Sequence, residues 1–578
     1  MKRHFYLCAM LFVGLAPFAG CIDNDIDLEN IDTTAEVKVV DLTVPLNLDE
    51  IKLSSVISLD EGSKIKEING EYVFVSEGEF ASDNIMFSSI VLESPFIKST
   101  YTDIAIPSEY RVGNSVLAAQ GGSISLNIGG AEAPFSTTVS NVSADIRGID
   151  RVAIDFAVTV TFKIDGFDGV VNRYTYKNLK MVMPKGVTVS ADKGTIDSAT
   201  GIYTLDECVV TSNTLSVRFA FTAIDMAKSN ARFDAGSHTF TFADKITIQS
   251  GEVQISASDL VLSATLPQKV VLVNGYDSSD VTVSRFSGKI AYSPQGLSPE
   301  PFSLGELPDV LSQEGTDISI TNPQIYLSLT NPLYDYCLWA NMNLDIMSRR
   351  GDAPWSVYTP DGGAIRIDGS VPQSYYCLSP TKPEAYVAGY EGAKQVAFTS
   401  LANVLSGNGL PTEIAIDIDK SEVPEQSVTD LALGTPLGSI EGKYMLYAPL
   451  NLKSGSCVMY SDVIDGWNDE EIDKVTITKI DITATVDNQC PATLNFAITP
   501  VDVNGNRLES VKVECSPVAA KAQGAAFTAT VSGEVKHLDG IVLQAVARAE
   551  QGNTLSPTMN VKLSNIKVKV SGSYVTEL

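Results

Sequence analysis

The chain has 578 residues, with 70 acidic against 41 basic side chains and a formal net charge of −29. A field of that sign repels phosphate backbones and excludes nucleic acid as a partner. It keeps a secreted chain soluble and says nothing about fold.

Taken from the start, Lys2, Arg3 and His4 lead into residues 5–18, an apolar run without charge. That length suits a signal-peptide core and falls short of the ~20 residues a membrane span needs. Phe18-Ala19-Gly20-Cys21 closes the run. The tetrapeptide resembles the lipobox of bacterial lipoproteins, with Phe18 where Leu is usual. The resemblance implies a signal peptide over residues 1–20 and acylation of Cys21. Several acyl chains, at ~0.8 kcal/mol per buried CH₂, make a stable anchor. Residues 21–36 then read as a lipidated tether crowded with Asp23, Asp25, Asp27 and Glu29. That cluster resembles the surface-export signal of Bacteroidota-type lipoproteins, and Ile22 stands where an inner-membrane retention signal would place Asp. The expected location is the bacterial outer membrane, lipid-anchored and surface-exposed. No later apolar run approaches spanning length, so the lipid is the expected membrane contact.

Beyond the tether, a two-residue period dominates. Val152, Ile154, Phe156, Val158, Val160, Phe162 and Ile164 alternate with Asp155, Thr159, Thr161 and Lys163, the pattern of a half-buried antiparallel strand. Shorter runs recur at 217–221, 325–329, 414–418 and 541–545. In 475–482 and 561–570 the phase slips by one residue, which predicts a bulge or a sheet switch there. Asn69-Gly70 between two apolar runs predicts a type I′ hairpin. Helix signals are few: Phe398, Leu401 and Leu405 have helical spacing, and Asn47 with Glu50 suits a short cap. The predicted fold class is all-β: tandem antiparallel β-sandwich, Ig-like domains. The predicted segments are 37–145 (N-terminal β domain), 146–266 (β-sandwich), 267–470 (loop-rich sandwich region) and 471–578 (C-terminal Ig-like sandwich).

Two phrases, Thr321-Asn322-Pro323 and Thr330-Asn331-Pro332, bracket residues 324–329. With Gly409-Leu410-Pro411 and the 442–450 phrase, they resemble strand-edge wording of Bacteroidota surface lipoproteins built from tandem β-sandwiches. The resemblance spans about residues 320–510, and that group has no settled biochemical function.

Chemistry-bearing motifs are sparse. His238 and His537 lie far apart within strand patterns, so a triad or two-histidine metal site would require them to converge. Residues 438–443 imitate a phosphate loop but lack a spacer residue, and Tyr444 follows where Ser or Thr should. Acid-rich 165–168 and 465–470 miss the calcium-ligand rhythm and read as solvated turns. Catalytic residues, metal ligands and cofactors are therefore expected to be none, and the protein is not expected to be an enzyme. Cys337 with Cys377, and Cys490 with Cys515, are candidate disulfides in an oxidising compartment, with separate buried thiols as the alternative. Asp32-Thr33-Thr34 and Asp197-Ser198-Ala199 resemble the O-glycosylation signal of Bacteroidota secreted proteins.

The uneven feature is aromatic. Trp339, Trp355, Tyr358, Tyr375 and Tyr376 crowd one stretch that also carries Pro354, Gly362, Gly363, Pro372 and Pro380. Long loops with flat amphipathic rings make these the candidate ligand-binding residues, with core filling as the alternative. The expected function is a surface binding or adhesion module meeting an unknown protein or glycan partner. The alternatives are a glycan-capturing lipoprotein of an outer-membrane uptake system and a pilus-type structural subunit. Such subunits are usually matured at an Arg after the anchor, and no Arg occurs between Arg3 and Arg111.

Overall fold

The computed structural model describes residues 34–577 apart from 47–49, 58, 60–62, 305–307, 409, 467–474, 538 and 551–553. Cys21, most of its tether and the Asn47 cap lie outside the described residues. Within them the chain is all-β, its sheets antiparallel except where Gln373–Ser379 runs parallel to Lys394–Ala397.

Ring contacts between facing sheets sort the larger sheets into three sandwiches. In the first, an eight-stranded sheet is centred on the predicted long strand, Ile146–Asp165, flanked by Thr214–Asp225, Lys269–Ser278 and Val281–Tyr292. It faces a seven-stranded sheet whose spine is Thr239–Ser256. Phe156 on the first sheet meets Phe135 and Phe242 on the second at 6.3 and 6.1 Å between ring centroids, and Tyr203 meets Phe219 edge-on at 5.0 Å. All seven apolar residues from Val152 to Ile164 are buried, because a two-residue period turns every second side chain to one face.

The second sandwich has a six-stranded sheet in the order Lys394–Ala397, Gln373–Ser379, Gln324–Thr330, Glu441–Pro449, Glu71–Ala81, Ile65–Ile68. Its partner sheet holds Phe302–Ser303, Glu413–Asp417, Asp345–Arg349 and Ser356–Tyr358, and Phe302 stacks on Tyr444 at 5.3 Å. The hairpin joining Ile65–Ile68 to Glu71–Ala81 turns at Asn69 (φ 54°) and Gly70 (φ 79°), both left-handed as a type I′ turn requires. The third sandwich pairs a sheet built on Asn560–Glu577, Val475–Asn488 and Ala525–Val535 with one built on Cys457–Ile464, Gly540–Ala549 and Ala492–Val501. Phe496 and Phe527 meet across it at 5.6 Å.

These sandwiches are nested, which corrects the four consecutive segments expected from sequence. The first described strand, Thr34–Leu46, pairs with the last, Asn560–Glu577, from Thr34↔Glu577 to Leu46↔Ile566. Residues 65–81 then enter the second sandwich and 90–292 build the first. The chain returns to the second sandwich and finishes the third from residue 457 onward. Val423–Ala432 goes back to the first, while Asp317–Ser319 and Ser406–Asn408 edge the third. Antiparallel pairing requires matching edges, not neighbouring sequence, and a segment with adjacent ends can be inserted into another without disturbing it.

The two predicted phase slips are bulges. Val475–Asn488 shifts register between Ile477 and Lys479 against both neighbours, leaving Thr478 unpaired with its Oγ1 donating to Ser571 O at 3.1 Å. Asn560–Glu577 shifts at Asn565, which takes φ 52°. Where helical spacing was read around Leu401, the chain makes a five-residue 3₁₀ turn, Thr399–Asn403. Neither histidine sits in a regular strand: His238 (φ 52°) and His537 (φ 59°) occupy left-handed positions between strands.

Candidate functional site

The six-stranded sheet of the second sandwich has two differently used faces. Along Gln324–Thr330, Ile325, Leu327 and Leu329 face the main core, while Tyr326 packs in a separate cluster with Cys377 and Ala393 on the other side. Register extends this outer face across the sheet. Tyr326 lies opposite Cys377 and Met445, and Met445 opposite Glu77. One row further along, Ser328 lies opposite Tyr375 and Lys443, and Lys443 opposite Glu79.

Residues 380–393 fold back over the first of these rows. Tyr326 is fully buried beneath Tyr390 at 5.0 Å, Tyr386 at 6.5 Å and Tyr447 at 6.4 Å between centroids. Its hydroxyl donates to Gln324 Oε1 at 2.6 Å and accepts from Val387 N at 3.3 Å, and burial pushes its pKa up. Tyr375 meets Tyr390 edge-on at 5.9 Å and remains 36% exposed.

The layer stops short of the Ser328 row, and there the face opens into a groove of about 470 Å³ lined by Glu79, Ser328, Thr330, Gln373, Glu441 and Lys443 together with Phe80, Ala81 and Gly442. Gln373 Nε2 donates to Ser328 Oγ at 2.8 Å. Glu441 N donates to Thr330 Oγ1 at 2.8 Å, and Lys443 Nζ pairs with Glu79 at 2.7 Å. The Lys443 ammonium, through its hydrogen bond and its charge, holds the Glu79 carboxyl below its ordinary range. A glycosidase acid needs the opposite, a carboxyl raised toward neutrality.

The five candidate binding residues do not converge. Tyr375 alone lies opposite a lining residue of the groove, Ser328, and does not itself line it. Tyr376 points to the opposite face, 2% exposed, its hydroxyl donating to Arg366 O at 2.9 Å, which corrects its assignment to a ligand surface. Trp339 is half-buried under the Arg366 guanidinium at 4.1 Å, and its backbone exchanges two hydrogen bonds with the Gln426 amide. Trp355, also half-buried, lies under Arg349 at 4.8 Å on the partner sheet's side. Arg349 in turn pairs with Glu413. Tyr358 is half-buried, with its hydroxyl 3.4 Å from Asn403 O. Each tryptophan thus has a ring face occupied by a cation, a stable packing.

Both candidate disulfides are absent. Cys377 lies beneath the tyrosine layer while Cys337 is exposed in a left-handed position after the 3₁₀ turn Tyr334–Tyr336. Cys490 and Cys515 are half-buried free thiols, and burial raises the pKa of Cys377, Cys490 and Cys515. Among the described residues no cluster of three or more His, Cys, Asp or Glu side chains is placed to hold a metal ion. In the 165–168 turn, Asp165 pairs with Lys163 at 2.7 Å, Phe167 is buried, and Asp168 accepts from Asn213 at 3.2 Å. Most of 465–470 lies outside the described residues. Asp197 and Ala199 form an exposed turn closed by a bond from Ala199 N to Asp197 Oδ1 at 2.9 Å.

The partners of the groove escaped sequence reading because Glu79 and Lys443 stand 364 positions apart. A usable trace existed in the alternation of Ser328 and Thr330 with buried leucines, which turns two hydroxyls outward.

No known family model matches this chain, and no curated protein matches it. Among solved structures it is similar to a "putative secreted protein" from Parabacteroides distasonis ATCC 8503. That likeness has 15% identity and a TM-score of 0.34, over 49% of this chain and 89% of the other. A likeness to the Sulfolobus turreted icosahedral virus structure covers 84% of this chain and 91% of that one, at 9% identity and a TM-score of 0.10. The VP2 subviral particle of infectious bursal disease virus gives 10% identity and 0.09, over 85% and 84%. TM-scores this low assign neither fold nor activity.

Proposed function

We propose that this chain is a lipid-anchored protein of the bacterial outer membrane, displayed outward through Cys21, that binds a partner and does no catalysis. The address rests on the apolar run 5–18, the lipobox-like 18–21 and the acidic tether behind it. One structural observation supports the binding role: loop 380–393 spreads a tyrosine layer over one face of a sheet and leaves an open groove at its margin. Binding residues are commonly carried on loops positioned by such scaffolds.

Two experiments test this reading. Metabolic acyl labelling and surface protease treatment of whole cells should tag and digest the wild-type chain, and Cys21→Ala should lose the label. Cells displaying the chain should adhere to immobilised polysaccharide or immobilised protein more than cells without it, and Tyr375→Ala with Tyr390→Ala should reduce that adherence. Equal labelling of Cys21→Ala sinks the anchor, and equal adherence with and without the chain sinks the binding role.

A further inference from the structure

Resting on that reading of the outer face, we propose that the groove is a carbohydrate site that takes a short stretch of neutral hexopyranose units, with Tyr375, which lies opposite the lining residue Ser328, as a stacking ring at its border. Its shape follows from one small residue. Across the sheet the row reads Tyr375, Ser328, Lys443, Glu79 in register. A serine between a tyrosine and a lysine drops the floor between two tall walls. In the neighbouring row the corresponding position is Tyr326, which fills the space and is roofed by Tyr386 and Tyr390.

The groups left facing the groove donate and accept in mixture. Ser328 Oγ accepts from Gln373 and retains its proton to donate. The Gln373 carbonyl oxygen accepts, Lys443 keeps N–H groups beyond the one on Glu79, and Glu79 keeps its second carboxylate oxygen. Vicinal hydroxyls, each both donor and acceptor, are the chemistry that pairs with such a set. A pyranose also presents an apolar C–H face, which suits the exposed part of the Tyr375 ring held edge-on by Tyr390. Charge selects among sugars. Glu79 and Glu441 line the groove, the lysine is already paired, and the whole chain carries −29, so uronic, sulfated and phosphorylated sugars are repelled.

The test uses the mature full chain in a detergent without a sugar headgroup, titrated calorimetrically with maltohexaose, cellohexaose, mannohexaose and hexagalacturonate. The expected result is saturable binding of at least one neutral hexasaccharide and at least tenfold weaker binding of hexagalacturonate. Tyr375→Ala should weaken that binding about tenfold, the equivalent of about 1.4 kcal/mol. Gln373→Ala should weaken it, Ser328→Tyr should abolish it by filling the floor, and Trp355→Ala should leave it unchanged. Should Ser328→Tyr fail to fold, Tyr375→Ala and Gln373→Ala decide alone, with melting temperature confirming each fold. The assignment is overturned if no neutral hexasaccharide binds at millimolar concentration, or if binding survives both of those substitutions intact. Adherence of displaying cells to immobilised protein without hexasaccharide binding overturns the sugar assignment and leaves the outer face as a binding surface.

Discussion

Tyr444 stands directly opposite Gly78 across the strand pair Glu441–Pro449 and Glu71–Ala81, and its ring occupies the space a side chain at 78 would need. A Cβ at Gly78 would lie 2.5 Å from the ring and its hydroxyl, and the neighbouring pair repeats the relation with Phe80 over Gly442. The gap lets Tyr444 lie flat against Phe302 and join the two sheets of the second sandwich. Gly78→Ala should therefore lower stability by about 1–3 kcal/mol, the usual cost of overpacking. In urea unfolding, adding Tyr444→Leu to Gly78→Ala should recover part of the loss. A neutral Gly78→Ala variant would show that the strands part without cost.

Phe156 and Thr159 share one strand and lie on opposite faces of it. Phe156 is fully buried among Phe135, Phe221 and Phe242. Phe156→Asp should cost several kcal/mol, because it buries a carboxylate with no partner. Thr159 is flanked by Arg218 and Asp277, so the field of one offsets the other at Thr159→Asp, which should stay within about 1 kcal/mol. Equal melting temperatures for the two variants would contradict the face assignment.

Alkaline pH should unfold the first sandwich through its buried phenols. Burial, with the charge of Asp168 as a smaller second cause, pushes Tyr174 to about 12, and burial pushes Tyr276 to about 12. Tyr176 and Tyr203 are raised by burial too. The folded state keeps these protons where a free phenol, near pH 10, releases them. Their contribution is complete below pH ~10 and is lost as pH rises from ~10 toward the folded values near 12. Phenolate absorbance from these residues should appear together with loss of the circular dichroism of the folded chain. Full titration near pH 10 in a still-folded protein would refute it.

A fragment spanning residues 471–578 should fail to fold alone. Asn560–Glu577 would lack Thr34–Leu46, and Gly540–Ala549 would lack Cys457–Ile464, which exposes two long edges. Because Thr34 and Glu577 are paired partners, a permuted chain of 454–577 followed by 34–52, joined by a short flexible linker from 577 to 34, should restore cooperative melting. Cooperative melting of 471–578 by itself would show the terminal strand to be dispensable.

Cysteine accessibility separates the pairs proposed from sequence. Alkylation of the native chain should modify exposed Cys337 and spare Cys377 until denaturant is added. Peptide masses from the oxidised protein should show no Cys337–Cys377 or Cys490–Cys515 linkage. Either linkage in material from intact cells would overturn the free-thiol arrangement.

Much of the architecture was legible locally. The strand at 152–164, the Asn69-Gly70 turn and the bulges at Thr478 and Asn565 each follow from a short-range rule, alternation or the φ that a turn demands. Tyr375 lies on the outer face opposite Ser328, whereas Tyr376, one residue on, faces the core. A two-residue period makes neighbours opposites, and composition alone cannot say which of them faces out.

By itself the sequence determined the all-β class, the hairpin and bulge positions and the strong negative field, because each depends on residues within a few positions or on a sum over the chain. Only the tertiary structure decided that the first strand closes on the last, that the sandwiches are nested, and that Ser328, Gln373, Lys443 and Glu79 share one groove. It also placed Arg366 and Arg349 over the two tryptophans. The reason is the range of the forces involved. Backbone conformation is dictated by local sterics, while strand partners are chosen by which distant edges bury apolar surface and satisfy their N–H and C=O groups together. That choice is a property of the whole chain and leaves no mark in any single window of it.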